Sequence, residues 1–517
     1  MKNSTEKPFE IRDLPLDGKG ALYDQIYRSL RAAILAGRVE PGTRLPTTRA
    51  LAQELGISRN TVVSAFEPLR AEGYVVSRVG AGTFVAPQTS SQLVESRCSN
   101  SLEAGEEFSP PPPRLSQYGE RLARQAPRRV YDLVLGRGQI THDFRPCVPD
   151  LERLPFESWR RNLVRTAQTL PNAEFDYADP SGASALRTAI ASYLGRARGI
   201  DCDASEILIV SGVAQALDIA TRLLVGEGDS VLLEEPHYLG ARRTFEAAGA
   251  RIVSAPVDED GVNLSSVSDP ERENCRMAYL TPSHQFPTGS VLSLSRRLEM
   301  LDWAGDSNAF VFEDDYDSEF RYAGRAIPSL KSLDRADRVI YVGTFSKTLL
   351  PALRIAYVVL PRSLIELFRT AKWACDWSSP VFEQAALARH LASGDFERHL
   401  RRARTLYAEG RRVLVESIER EWEAFGARYQ DSQAGLHLLV RFEALRAECL
   451  NEVLRLGEDA GLGIYPAAPC YRGVKPAVLE LVLGFGRLEA EQIREGVKRL
   501  RSVLEELCSD ESGGGSA

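Results

Sequence analysis

The chain has 517 residues, 44% of them hydrophobic and 26% charged, with a formal net charge of −7. That length exceeds one ordinary domain, and that balance excludes a disordered or membrane-embedded chain, so two or three folded units are expected. No stretch approaches the about 20 apolar residues of a membrane helix, and Met1 to Pro8 has no apolar signal core, which predicts a cytoplasmic protein with no membrane partner.

The cysteines stand at 98, 147, 202, 275, 375, 449, 470 and 508, with no Cys-x-x-Cys pair. Reduced structural thiols are therefore expected, and neither a metal site nor a disulfide framework. Residues 1–86 hold 12 Lys and Arg against 9 Asp and Glu, about +3, which leaves about −10 for the remainder. Only the amino-terminal part is suited to nucleic-acid phosphates.

In chain order, Leu22, Ile26, Leu30 and Ile34 recur at helical spacing and Gly37 follows as a stop. Thr47 or Thr48 caps a second predicted helix that ends at Gly56, and Ser58 caps a third that ends at Gly73. Two short helices joined through a glycine turn predict a helix-turn-helix, whose second helix enters the major groove. Residues 74–85, with Gly80-Ala81-Gly82 at the centre, read as a hairpin wing. From 86 to 130 Ser, Gln and Glu dominate, and Pro110 to Pro113 precede Arg-rich, helical sequence at 120–129. That composition predicts a spacer.

Beyond residue 131, apolar strands at 207–210, 230–233, 251–253, 277–280, 310–312 and 339–342 alternate with amphipathic helices, the pattern of a largely parallel sheet covered by helices. Residues 365–509 mix long charged helices with strands at 436–440 and 478–483, a smaller α+β subdomain. The expected division is a head at 15–86, a linker at 87–130, a body at 131–509 and a disordered tail at 510–517.

The body carries a constellation that fits pyridoxal phosphate, which needs a lysine, a carboxylate against its ring nitrogen, phosphate donors and control of its ring oxygen. Lys347 follows Thr344 and Ser346, with Arg354 close behind; Asp314 and Tyr316 end a predicted strand. Ser211, Gly212, Val213 and Ala214 lie between a strand and a helix, where backbone N–H groups attract an anion. Tyr238 is a candidate to stack on the ring.

Leu22-Tyr-Asp-Gln-Ile26, Pro41-Gly-Thr-Arg-Leu-Pro46, Leu55-Gly-Ile-Ser-Arg59-Asn-Thr-Val62 and Gly80-Ala-Gly-Thr-Phe-Val85 resemble the GntR-type winged helix-turn-helix. The resemblance implies that Arg44, Arg49, Ser58, Arg59 and Thr61 contact DNA and that Gly82 and Thr83 let the wing approach the minor groove. The cofactor residues, with Tyr177-x-Asp-Pro-x-Gly182, resemble the fold-type I aminotransferase pattern, in which Tyr177 would reach the phosphate of a neighbouring subunit. With Thr281-Pro-Ser-His-Gln-Phe-Pro-Thr-Gly289 and Asp314-Asp-Tyr-Asp-Ser-Glu-Phe-Arg-Tyr322, nearly the whole chain is similar to the MocR/GabR-type bacterial transcription regulators. That implies a homodimer, head-to-tail in one arrangement, on promoter DNA with repeated half-sites, with RNA polymerase as a further contact. The body would sense a small amino compound, or pyridoxal phosphate itself, through an aldimine at Lys347.

Two departures weigh against turnover. Phe286 stands where aminotransferases place Asn on the ring oxygen, leaving His284 or Gln285 as substitutes. Pro469 stands near the expected carboxylate-binding Arg, leaving Arg472 or Arg487. A working aminotransferase with an added DNA-binding head is the alternative expectation.

Overall fold

A computed structural model describes residues 15–78, 80–87, 113–125, 140–154, 156–324 and 327–513, with side chains to 508. Cys98, Pro110 to Pro112 and residues 514–517 lie outside the described residues. The chain divides into two compact units, Met1–Arg114 and Leu115–Ala517.

In the first unit, helices α1 (Leu22–Leu35), α2 (Thr48–Glu54) and α3 (Arg59–Ala71) precede the antiparallel hairpin β1 (Val75–Arg78) and β2 (Gly82–Val85). Both anticipated caps form: Thr47 Oγ1 accepts from Ala50 N at 3.1 Å, and Ser58 Oγ from Thr61 N at 3.2 Å. Ile26, Leu30, Leu51, Val62, Phe66 and Leu69 interlock as one core, because each helix places its apolar residues at three- and four-residue intervals.

The second unit is built on an eight-stranded sheet. After the short β3 (His142–Asp143) come β4 (Ile207–Val210), β5 (Ser230–Glu235), β6 (Arg251–Asp258), β7 (Gly261–Val262), β8 (Cys275–Leu280), β9 (Phe310–Asp315), β10 (Val339–Thr344) and β11 (Ala356–Val359). Their spatial order is β4-β11-β10-β9-β8-β5-β6-β7. Pairs among β10, β9, β8, β5 and β6 are parallel; β11 is antiparallel to both neighbours, and β7 to β6. All six expected strands form, most of them longer than expected. The unforeseen β11 is a four-residue run directly after the Arg354 turn, too short to stand out by periodicity.

Alternation along the strands sends successive residues to opposite faces. Val311, Tyr341, Leu280 and Leu232 join one core, and Phe312, Ile340, Tyr279 and Leu233 the other. The smaller subdomain adds β12 (Ala427–Tyr429), β13 (His437–Arg446) and β15 (Val478–Gly484) as an antiparallel sheet, while β14 (Leu462–Gly463) pairs with β3. Every described cysteine is free, and no described helix is long and apolar enough to cross a membrane.

Within the expected linker, Gln117–Gln125 is a helix packed on the helix Leu239–Ala248. Arg121 pairs with Glu227 and lies over Gly249, and Gln125 Nε2 donates to Glu246 Oε2 at 3.4 Å. At the carboxyl end the helix Ala490–Gly513 continues into the expected tail.

A buried ion pair ties the sheet to its cover. Arg198 Nη2 lies 2.9 Å from Asp315 Oδ2, which also accepts from Tyr341 Oη at 2.6 Å and Ser318 Oγ at 2.9 Å. Removing one partner strands a buried charge, whereas removing both does not. Arg198→Met is therefore expected to cost about 3–5 kcal/mol in urea unfolding, and Arg198→Met with Asp315→Asn to recover most of it. Equal losses in the single and double variants would contradict this role.

Candidate functional site

β4, β5, β8, β9 and β10 point the same way, so their carboxyl ends share one edge, where sites on such sheets gather. Ser211 and Gly212 follow β4, Tyr238 follows β5, His284 follows β8, Asp314 and Tyr316 close β9, and Thr344, Ser346 and Lys347 close β10. One edge thus collects residues scattered over much of the body.

Gly212 and Arg354 form an anion cup. Gly212 has φ +150°, and a Cβ there would lie 2.9 Å from Arg354 Nη2, so a side chain would strain the backbone and push the guanidinium aside. Gly212 also precedes the helix Val213–Leu224 without a side-chain cap, which leaves the amides of Val213 and Ala214 directed at the same space. Thr344 Oγ1 accepts from Ser346 N at 3.1 Å, so both hydroxyl residues are held at the end of β10. Ser211 differs from expectation: its N–H and hydroxyl both donate to Gln215 Oε1, at 2.9 and 3.2 Å.

The ring pocket is marked by Asp314. This residue is buried; Tyr279 Oη donates to its Oδ2 at 2.5 Å, and its Oδ1 has no partner. Burial raises its pKa to about 7, against the pull of the Tyr279 hydrogen bond and the nearby Lys347 ammonium. A buried carboxylate oxygen without a donor fits a protonated ring nitrogen, and the Gly212–Arg354 cup fits a phosphate, so these residues suit pyridoxal phosphate. Tyr238 faces Tyr279 with ring centroids 6.4 Å apart and meets Phe286 edge-on at 6.1 Å, which makes an aromatic wall.

Tyr316 Oη donates to the His284 carbonyl oxygen at 2.8 Å and lies 3.3 Å from His284 Nδ1. The His284 ring is turned away from the pocket: Nδ1 is 3.1 Å from Asp317 Oδ2 and Nε2 is 3.3 Å from Ser432 Oγ. Gln285 is consumed in its own loop, donating to the Pro236 and Phe286 carbonyls at 2.7 Å each. The sequence reading did not single out Tyr279, Asp317, His437 or Cys147. His284, Asp317 and His437 each place a donor atom within 4.8 Å of the others, and Cys147 Sγ is 3.5 Å from His437 Nδ1. Cys147 also holds φ +58°, an uncommon conformation for a non-glycine residue.

The remaining candidates separate. Tyr177 is 80% exposed and packs on Trp377 with centroids 4.9 Å apart, and among the described residues it makes no hydrogen bond to the groups above. Arg487 is committed to Asp143 at 2.9 Å. Arg472 is exposed, with its N–H held by Glu235 Oε1 at 2.7 Å, beside the segment that carries Tyr238.

On the winged unit, Arg44, Arg49 and Arg59 are exposed and make no ion pair among the described residues. Arg28 and Arg31, by contrast, are tied to Asp17, Asp24, Tyr74 and Glu72. Arg44 lies against Gly82, whose φ of +117° brings the wing over it. Thr61 Oγ1 is 2.8 Å from Ser58 Oγ, and Thr83 Oγ1 is 3.4 Å from Ser77 Oγ. This face of the winged unit thus offers Arg44, Arg49 and Arg59 without ion-pair partners among the described residues.

Asp314 generates a pH prediction. Its folded pKa of about 7 lies above the usual carboxylate value, so the folded cofactor-free protein holds a proton that the unfolded chain releases. Its contribution to stability is therefore lost as pH rises from about 4 through 7. Asp314→Asn is expected to stabilise the cofactor-free protein, with the gain growing by about 2–3 kcal/mol between pH 5 and pH 8 in chemical denaturation. A gain independent of pH would contradict the assignment.

Comparison with known proteins places both units. Residues 147–472 match the family "Aminotransferase class I and II", and residues 22–85 match "Bacterial regulatory proteins, gntR family". The probable rhizopine catabolism regulatory protein MocR of Rhizobium meliloti is 37% identical over 503 residues, 97% of each chain. The uncharacterized HTH-type transcriptional regulator YdeL of Bacillus subtilis is 32% identical over 96% of this chain and 98% of its own. The solved structure of LysN, α-aminoadipate aminotransferase of Thermus thermophilus, superposes with a TM-score of 0.68 at 28% identity, covering 98% of that chain but 76% of this one. The regulators match along the whole length, whereas the aminotransferase covers three-quarters of it. The chain belongs to the MocR/GabR-type regulators of the GntR family, in which a winged helix-turn-helix head is joined to a class I/II aminotransferase body.

Proposed function

We propose that this transcription regulator binds double-stranded promoter DNA at repeated half-sites through its head and holds pyridoxal phosphate on Lys347 in its body. The observation that carries the cofactor reading is the buried Asp314 Oδ1 without a donor, on the same sheet edge as Lys347 and the Gly212–Arg354 cup. When bound, the cofactor supplies an aldehyde that condenses with primary amines. Asp314 would hold the ring nitrogen protonated, Tyr316 would donate to the ring oxygen once its one proton turns from the His284 carbonyl, and Tyr238 would cover the ring face. Arg354, the Val213 and Ala214 amides, Thr344 and Ser346 would hold the phosphate. Ser211 contributes once its donors leave Gln215.

The effector class that suits this arrangement is a small primary amine that competes with Lys347 for the same aldehyde. Of the two arginines considered for an effector carboxylate, Arg472 is the one placed beside the Tyr238 segment. Tyr177, Trp377, Trp373 and Phe175 are each at least half exposed, which supports a homodimer in which Tyr177 reaches the phosphate of the other copy. The functional units are taken as the head at 15–86, the linker at 87–130 and the body at 131–509.

Purified protein is expected to show a visible absorbance band that Lys347→Ala abolishes; a colourless wild-type protein that gains no band with added pyridoxal phosphate would contradict the cofactor reading. Arg49→Ala and Arg59→Ala should each weaken operator binding by about 1–3 kcal/mol, roughly 5- to 150-fold, and leave the band unchanged. Unaltered operator affinity in both would remove α2 and α3 from the DNA contact.

A further inference from the structure

Behind Tyr316 lies a histidine–aspartate pair that contributes no side chain to the pocket itself. The Tyr316 hydroxyl has one proton and here donates it to the His284 carbonyl oxygen at 2.8 Å. Asp317 Oδ2, an acceptor, stands 3.1 Å from His284 Nδ1, which places the Nδ1 proton between them. That same Nδ1–H lies 3.3 Å from Tyr316 Oη, so it can also donate to the tyrosine oxygen. The imidazole has no room to turn. Gly435 has φ +76°, and a Cβ there would fall 1.9 Å from His284 Cε1; Ser432 Oγ holds Nε2 at 3.3 Å. His284, Asp317 and Tyr316 are all buried, and Asp317 Oδ1 has no partner.

We propose that His284 and Asp317 are positioning residues that strengthen Tyr316 as a hydrogen-bond donor and thereby set the proton affinity of the covalent linkage at Lys347. The proposal rests on the pyridoxal phosphate reading above. A hydroxyl whose oxygen receives a hydrogen bond is a stronger donor in turn. A stronger donor to the ring oxygen stabilises negative charge there and weakens that oxygen's hold on the proton of the linkage nitrogen. Other charged or titratable groups face this cluster. They are Asp314, Tyr279, Cys147 and Lys347 on the pocket side, His437 against the His284 ring at 4.7 Å, and Tyr322 with Arg411 beyond Asp317. Their direct fields act on the linkage as well, and sign separates the two routes. Loss of the Asp317 charge acting through space makes the linkage proton easier to lose; loss of the relay through Tyr316 makes it harder to lose.

The test is a pH titration of the visible band of the full-length holoprotein. Asp317→Asn is expected to raise the midpoint by roughly 0.5–1 pH unit, and to have no such effect in a Tyr316→Phe background. His284→Gln, whose amide reproduces Nε2 but not Nδ1, should raise it likewise, and His284→Asn, whose amide reproduces Nδ1, should restore it. These two variants carry the test where Asp317→Asn does not fold. A lowered midpoint in Asp317→Asn, or a rise that persists without the Tyr316 hydroxyl, overturns the relay. Absence of any visible band in the wild-type protein instead overturns the cofactor reading on which it rests.

Discussion

Three consecutive acids on β9, Glu313, Asp314 and Asp315, are all buried, and the period of a strand decides what each one does. Glu313 and Asp315 face one core, where the backbone amides of Leu330 and Lys331 and the Arg198 guanidinium compensate them. Asp314 faces the other, with a single donor from Tyr279. Burying three carboxylates in a row is unfavourable unless each is paired or neutralised. Both oxygens of Glu313 accept backbone amides and Asp315 Oδ2 takes a guanidinium and two hydroxyls, whereas Asp314 has one hydroxyl donor and, among the described residues, no guanidinium. The scaffold is thus fixed through Asp315, while Asp314 keeps a partnerless oxygen in the pocket with no cation paired to it among the described residues.

The rest of the site follows from the direction of the strands. β4, β5, β8, β9 and β10 end on one edge, so an anion cup, a ring pocket and a lysine come together although their residues span positions 211 to 354. The winged unit uses a different economy of charge. Its arginines on α1 are tied to Asp17, Asp24 and Glu72, while Arg44, Arg49 and Arg59 make no ion pair among the described residues. The first unit offers cations for a polyanion, and the second gathers an anion cup, a buried carboxylate and a lysine on one sheet edge.

Much of this was legible in the sequence because it is local. Thr47 and Ser58 cap helices through the next three residues, and Lys347, Asp314 and Gly212 sit in short motifs at strand ends. What stayed hidden depends on distant contacts. Tyr279 matters only because β8 lies beside β9, and His284, Asp317 and His437 meet only because β13 folds against the loop after β8. Gln285 is not free for the cofactor because its amide donates to the Pro236 and Phe286 carbonyls and ties the 281–290 loop to the end of β5. Helical sequence at 120–129 was legible, but the docking of Gln117–Gln125 on the body was not, since a helix held through Arg121 and Gln125 needs few apolar residues.

The central claim is that Lys347 reports amine binding to the head. The direct measurement is operator occupancy by the full-length protein, with and without an activating amine, in the wild type and in Lys347→Ala. The account predicts that Lys347→Ala still binds the operator but that its occupancy no longer changes with the amine. A variant that responds as the wild type does would contradict it.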